Sequence, residues 1–452
     1  MPAHQTATLG PNISTRELTS WHRSPRRKAT LDPIEMKSSK KLTFIDLFAG
    51  CGGLSEGFLQ ANTYEALAHV EWEIPMVETL RARLVQKWKH SEDDARRRVI
   101  HFDIQKTKEL INGDWKAATK KSYDKTNDET VITNGLRGLV GKRKVNLIIG
   151  GPPCQAYSIA GRAQDKDSMK FDYRNYLFES FVKVVEEFQP DAFIFENVPG
   201  LLSACPGSTP VTDRIYKAFQ GIGYEIRSPE LLKKSIYTAS DFGVPQSRNR
   251  VIIVGVKEDS NRDLERLYQE IDSLRSKSNP RTVKSAIFGL PKFKTLPVVK
   301  RNGKNISHSL IGNSEVTHHE ARFHNPRDIR IFRQWIKGKM NSATIATKLA
   351  FYKKMVGKSS NHAKYRSLLW NQPSPKIVAH LHKDGLMFIH PDAKQARSIT
   401  VREAAALQSF PDDYNFKGNQ GQCFKMIGNA VPPEMAKHIA NAIYKGLLNN
   451  GN

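Results

Sequence analysis

Short apolar runs alternate with amphipathic stretches through the first half of the chain. Leu42–Phe48 (LTFIDLF) is an unbroken apolar run with aromatic and β-branched residues, which predicts a buried strand. It runs into AGCGG and then LSEGFLQA, the start of a helix. Two short strands follow, ending in HVEWE (His69–Glu73) and VIHFDI (Val99–Ile104). NLIIGG (Asn146–Gly151) is a fourth strand, stopped by Pro152 and Pro153, because proline continues neither a helix nor a central strand. In Asn175–Phe188, residues Leu177, Phe178, Phe181, Val184, Val185 and Phe188 recur at helical spacing and predict a core-facing helix. DAFIFENV (Asp191–Val198) is a further buried strand, and another apolar strand, VIIVGV (Val251–Val256), follows directly on Arg248 and Arg250. This rhythm predicts an α/β fold, a Rossmann-like sheet with helices on both faces.

The pattern divides the chain. Residues 1–40 are Ser, Thr, Pro, Arg and Lys with few apolar positions, and are expected to be a disordered basic tail that includes SPRRK. Residues 41–256 carry the αβ rhythm, and within them 105–144 is polar, with little period, and reads as a decorated helix and loop. Charge pairing at helical spacing marks 258–276; beyond it the rhythm is lost, so 257–396 is expected to be a separate, smaller domain. Order returns over 397–452. Thr400-Val401-Arg402-Glu403 reads as a capping box. Pro432 and Pro433 open a helix whose stripe Met435, Ile439, Ala440, Ile443 and Leu447 can pack back on the first domain.

Composition narrows the class. The 452 residues suffice for two or three cores. There is no run of eighteen apolar residues and no apolar signal segment, so a cytoplasmic protein away from membranes is expected. Cys51, Cys154, Cys205 and Cys423 are widely spaced and form no CxxC, which argues against a disulfide framework and against a metal site. The net charge is +25, and residues 281–396 hold 22 Lys/Arg against 5 Asp/Glu. That balance is the footprint of a surface facing a phosphate backbone, and no basic amphipathic helix favours a membrane instead.

The candidate chemistry gathers at the predicted strand ends. Cys154 follows the Pro-Pro turn at the carboxyl end of a strand, where open α/β sheets hold ligands, and reads as a nucleophile. The strand, glycine turn and helix around Gly50, Gly52 and Gly53 have the nucleotide-binding layout. Glu71, about 20 residues on, stands where an acid binds ribose hydroxyls, and Asp103 ends the next strand. GxGG is not GxGxxG, so a nucleoside is favoured over a dinucleotide. Glu196 ends another strand, either as a helix-capping acid or as a catalytic one. Alternation puts Arg248 and Arg250 on one face, as a solvated edge or as groups for a phosphate or a base carbonyl. Arg162 and Lys166, in the polar segment 159–175, are available to phosphate. Asn429 sits in the turn before the closing helix.

Taken together these segments resemble the DNA cytosine-5 methyltransferase family, of bacterial modification type. FIDLFAGCGG is similar to its first motif, PPCQAYS to its catalytic motif, ENV to its glutamate motif and QSRNR to its arginine motif. RSITVREAAALQSFPDDY and GNAVPPEMAKHIANAI are similar to its two closing motifs, and all stand in the family's order over residues 42–445. The basic stretch falls where the family keeps its target-recognition domain. The resemblance implies S-adenosylmethionine as methyl donor, S-adenosylhomocysteine as product, and duplex DNA as substrate. It places Asp46, Phe48, Gly50, Gly52, Gly53, Leu54, Glu71, Trp72, Asp103, Ile104, Pro152 and Asn429 on the cofactor side. Within that set Phe48 stacks on adenine, Glu71 takes the ribose and Asp103 takes the adenine amino group. It gives the reaction to Cys154, Glu196, Arg248 and Arg250.

The implied chemistry has a physical logic. Cytosine C5 is a poor nucleophile until a thiolate adds at C6. A glutamate at N3 makes C6 more electrophilic, and an arginine at O2 offsets the developing charge. The base must be flipped out of the duplex, and 156–168 are candidates to close over it. A monomer, with a restriction endonuclease as a separate partner, is the expected setting. The rival readings are an RNA (tRNA) cytosine-5 methyltransferase and a non-catalytic DNA-binding protein.

Overall fold

The computed structural model describes residues 41–153, 177–206, 208–276, 280–383 and 385–448. The expected tail at 1–40, Cys154, Arg162, Lys166 and the polar segment around them lie outside the described residues.

The main sheet has eight strands. β1 is Leu42–Leu47, β2 Tyr64–Glu71, β3 Val99–His101, β4 Leu147–Gly150, β5 Ala192–Asn197, β6 Tyr224–Ile226, β7 Ile236–Thr238 and β9 Asn249–Lys257; β8 (Gln246–Ser247) stands outside it, paired with Ser374–Pro375. The order is β3-β2-β1-β4-β5-β9-β6, with β7 also paired to β9. The first five strands are parallel; β9 runs antiparallel to β5, and β6 and β7 antiparallel to β9. Between β1 and β4 the winding reverses, the switch point where such sheets open a crevice at their carboxyl edge. Leu47 pairs with Gly150, so the glycine turn after β1 and the Pro-Pro turn after β4 leave the sheet side by side.

The strands are buried on both faces. In β5, Ala192 and Ile194 face one core cluster, while Phe193 and Phe195 face the other. The helix predicted from Asn175 is described as Leu177–Phe188, with Leu177, Phe178, Phe181, Val184 and Val185 buried. The opposite face is covered by α1 (Gly53–Gln60) and by the closing helix, called α4 below (Pro433–Leu448). A Cβ on Gly57 would stand 2.4 Å from the Cβ of Ala436, so only glycine allows this approach. Tyr64 Oη donates to the Ala440 carbonyl at 2.9 Å.

Residues 105–144 are helix and loop, as expected, but with three short helices rather than one. They form short helices at Thr107–Asn112, Ala117–Tyr123 and Glu129–Val140 that bury Leu110, Trp115, Val131, Leu136 and Leu139 on the sheet. The buried apolar residues come from the first and third of these helices and from Trp115 in the link between the first two, so no single long period shows.

The capping box is present at α2 (Val401–Leu407). Thr400 Oγ1 accepts from Glu403 N at 3.2 Å, and Glu403 Oε2 accepts from Thr400 N at 2.8 Å. Arg397 donates to both oxygens of Glu403 at 2.7 and 2.6 Å, with both side chains buried. Burial pushes the Glu403 carboxyl up, but the Arg397 charge and hydrogen bonds outweigh it and hold it well below the usual carboxylate range. Because the folded state holds this group below its unfolded value, its stabilisation is complete at neutral pH and fades as pH falls. Glu403→Gln is expected to cost about 3–5 kcal/mol by stranding Arg397, read as a lower melting temperature at pH 7 and a smaller difference from wild type in acid.

Candidate active site

The carboxyl ends of β1, β2, β3, β4 and β5 meet along one edge. At the end of β1 the chain turns through Phe48 (φ 58°), Gly50 (φ 58°) and Gly52 (φ 86°). Left-handed backbone is strained for a bulky aromatic such as Phe48, and the turn persists because what surrounds it is fixed. Gly53 is pressed on the closing segment; a Cβ there would lie 2.4 Å from the Val431 carbonyl oxygen. Tyr414 Oη donates to the Cys51 carbonyl.

Glu71 ends β2 and is aimed by the backbone. Oε2 accepts from Gly50 N at 2.8 Å, and Oε1 from Trp72 N at 2.8 Å and Glu73 N at 2.9 Å. Burial raises its pKa to about 7, the three N–H groups pull it down, and the charge of Glu73 pushes it up. Glu73 itself is ion-paired to Lys425, at 2.7 Å. Trp72 is 55% exposed beside Glu71. Past β3, Asp103 is half-buried, and its Oδ1 accepts from Gln105 N at 3.0 Å. A recessed carboxylate, an exposed indole, a second acid and a glycine turn fit a nucleoside with free ribose hydroxyls.

Other sequence-predicted members stand behind this edge. Asp46 is buried; its Oδ2 accepts from Ser55 Oγ at 2.5 Å, and Ser55 contacts His69 Nδ1 at 2.9 Å. Leu54 and Ile104 are buried in the two core clusters. Asn429 ends α3 (Gln420–Asn429) and is exposed, two residues before the Val431 carbonyl that meets Gly53.

The second half of the edge is built by β4, β5 and β9. Gly150 pairs with Phe195, so Glu196 stands beside Gly151. A Cβ on Gly151 would lie 2.5 Å from Glu196 Oε2; the carboxylate rests on the glycine's bare α-carbon. Asn197 Nδ2 donates to the Pro152 carbonyl at 3.3 Å, tying the two turns. Because β9 is antiparallel, its first residues lie at this end, with Asn197 paired to Val251. Arg250 Nε thereby meets Glu196 Oε1, both side chains being largely buried. Glu196 is thus held by a cation and, among the described residues, caps no helix.

Arg248 goes elsewhere. It is 1% exposed and donates to the carbonyls of Ile377 at 2.9 Å and Gly428 at 2.8 Å. Burial and the neighbouring Arg250 drive its pKa well below the usual guanidinium range. Gln246 works alongside it: Nε2 donates to the Leu407 carbonyl at 3.2 Å, and Oε1 accepts from Ile377 N at 2.9 Å. These partners lie 129 to 180 residues away, so sequence spacing carried no sign of them. Asn197 and Tyr414 are further site-building residues that the motifs contained without marking.

The cleft at the Pro-Pro turn is small, about 10 Å³, and is lined by Pro152, Pro153, Phe178, Phe195 and Asn197. A roomier cavity of about 110 Å³ lies among Phe288, Trp370, His390 and Glu403. Glu71, Asp103, Glu196, the glycine turn and Arg250 all lie along the carboxyl edge of the sheet.

A model of C-5 cytosine-specific DNA methylases matches residues 42–114 and 113–445. Type II methyltransferase M.Bpa9945I of Bacillus paralicheniformis is 34% identical over 460 aligned positions, covering 90% of this chain and 99% of the relative. Type II methyltransferase M.DdeI of Desulfomicrobium norvegicum is 31% identical, covering 89% of this chain and 88% of its own. Among solved structures, Schizosaccharomyces pombe (S. pombe) Dnmt2 methyltransferase shares the fold, with TM-score 0.51, 13% identity, and coverage of 90% of this chain and 100% of that one.

Proposed function

The chain belongs to the C-5 cytosine-specific DNA methylase family and is a DNA cytosine-5 methyltransferase; from that premise we propose that its carboxyl sheet edge binds S-adenosylmethionine and one extruded cytosine, with Cys154 as nucleophile. The observation that carries this reading is the Glu196 carboxylate resting on Gly151 and paired to Arg250. It sets an acid against the turn three residues before Cys154.

Glu71 takes the ribose hydroxyls, Trp72 and Phe48 flank the adenine, Asp103 takes its amino group, and Asn429 closes the pocket. Asp46, through Ser55, and Leu54 and Ile104, through packing, fix the turns that present these groups. When bound, the donor supplies an electrophilic methyl on a sulfonium. The Cys154 thiolate adds to C6 of the ring, and the C5–C6 π electrons become available at C5. Glu196 shares a proton at N3 and accepts from the exocyclic amine, drawing electron density from C6. Arg250 holds Glu196 in place and balances charge developing at O2. Once C5 carries the methyl group, loss of its proton to solvent expels the thiolate and restores the aromatic ring. Arg248 acts by positioning: it locks the turn before β9 to the segments around Ile377 and Gly428. The relatives' type II names support a place in restriction–modification, with the endonuclease a separate protein.

The test is transfer of labelled methyl from S-adenosylmethionine to duplex DNA and to tRNA, followed by base analysis. Label in DNA as 5-methylcytosine is expected; label in tRNA alone overturns the reading. Glu71 adds a pH signature. Ribose hydroxyls donate to the ionised carboxylate, so affinity for adenosine is expected to rise as pH increases through about 7 and to level off above it. Glu71→Gln flattens that rise, measured by calorimetric titration with adenosine, which carries no group ionising there.

A further inference from the structure

One ribbon in the basic stretch is joined by no other strand among the described residues. β10 (Phe293–Arg301) and β11 (Lys304–Leu310) pair only with each other. Their root is anchored: Phe293 N donates to Gln395 Oε1 at 3.1 Å, His308 Nε2 contacts the Gln395 carbonyl at 2.9 Å, and Ser307 Oγ accepts from His324 N at 2.9 Å. Beyond the root, the register slips between Thr295 and Val299, a bulge that contains Pro297 and bends the ribbon. Every residue from Pro297 to Asn305 is exposed. Asn302 (φ 49°) and Gly303 (φ 75°) form the two-residue turn that matches strand twist.

A bare two-stranded ribbon is marginal in water, and its open edges invite aggregation. Lysines on an edge can serve as gatekeepers, but that job does not require one sign of charge. From Lys292 to Ser314 there are five cations, Lys292, Lys294, Lys300, Arg301 and Lys304, and no acid. Among the described residues, Lys300, Arg301 and Lys304 form no ion pair. Such a finger has the charge and width for the major groove of duplex DNA, which admits a two-stranded ribbon.

We propose that the β10–β11 ribbon enters the major groove of the duplex, with Arg301 reading a base edge and Lys300 and Lys304 gripping phosphates. Cross-strand pairing sets the geometry. Arg301 faces Lys304 beside the turn, on the same side as the Val299–Ile306 pair, while Lys300 pairs with Asn305 on the other side. Arg301 at the tip offers the planar fork that recognises guanine O6 and N7. The ribbon's role rests on the methyltransferase reading only for the reaction that reports sequence choice; its binding to DNA is measured separately.

The experiment uses the full chain and three variants: Lys300→Ala/Lys304→Ala, Arg301→Ala, and Lys142→Ala as an exposed control outside the basic stretch. Binding to a labelled random-sequence duplex is measured from 50 to 200 mM salt. The double variant is expected to bind more weakly and to flatten the slope of log K against log salt by about 2, and Lys142→Ala to leave it unchanged. Methylated cytosines are then mapped in DNA from expressing cells. Arg301→Ala is expected to methylate the wild-type sites roughly 5- to 150-fold more slowly and to relax the preference at one base position. An unchanged salt slope in the double variant, or an unchanged site pattern in Arg301→Ala, overturns the proposal even if wild type methylates DNA normally. If wild type methylates nothing, the functional reading fails, and the salt slope alone decides whether the ribbon tracks duplex DNA.

Discussion

Replacing Cys154 by serine is expected to lower methyl transfer at least ~10⁴-fold while leaving duplex binding intact. The two side chains differ by one atom, and the residue follows a turn already set by Pro152 and Pro153. The loss is therefore chemical. A thiol ionises near pH ~8.5 and supplies some thiolate at neutral pH, whereas a hydroxyl supplies essentially no alkoxide. Single-turnover incorporation of labelled methyl measures the effect. A second readout is independent of turnover. In DNA carrying 5-fluorocytosine, C5 has no proton to lose after methylation, so the thiolate cannot leave. Wild type should then give a protein–DNA adduct that survives denaturation, and Cys154→Ser should give none. A wild-type rate in the serine variant overturns the mechanism.

The second large effect is expected at Gly151. An alanine Cβ there would stand 2.5 Å from Glu196 Oε2, inside any real contact distance. The carboxylate must move, and Arg250 moves with it or loses it. A displacement near 1 Å is enough to cost roughly 10²-fold in kcat. Glu196→Gln, which keeps the shape but not the acid, is expected to cost about 10²–10⁴-fold. The double variant discriminates a mechanistic effect from a general disturbance. If Gly151 acts by seating Glu196, adding Gly151→Ala to Glu196→Gln costs little more, because the group being displaced has already lost its chemistry. Multiplicative losses would mean that Gly151 matters for another reason. Melting temperatures close to wild type in both single variants complete the check.

Much of this site was legible because its residues punctuate strands. Glu71, Glu196 and the glycines each end an apolar run, and parallel strands bring such ends to one edge. What escaped was anything set by the turn's dihedral angles or by distant partners. Nothing local to Phe48 announces a positive φ. Arg248 and Arg250 share a short motif, yet one meets Glu196 and the other reaches two carbonyls far along the chain. The resemblance placed Asp46 on the cofactor side; its carboxylate is buried and accepts from Ser55, a contact that no local pattern announces. The ribbon had a sequence signal, Asn302-Gly303 between β-prone segments, that the surrounding charge overshadowed. A helix was legible within 105–144, but its division into three short ones was not, because the buried apolar residues sit in the first, in the third and at Trp115 between.

The closing helix α4 covers α1 and accepts a hydrogen bond from Tyr64, so residues nearly 400 positions apart finish one wall. During synthesis that wall stays bare, with greasy side chains facing water, until residues 433–448 have left the ribosome. The same late segment reaches the glycine turn through Val431. The turn that presents the binding edge is therefore buttressed by a segment that vectorial synthesis delivers late, and this wall closes only after residues 433–448 have been translated.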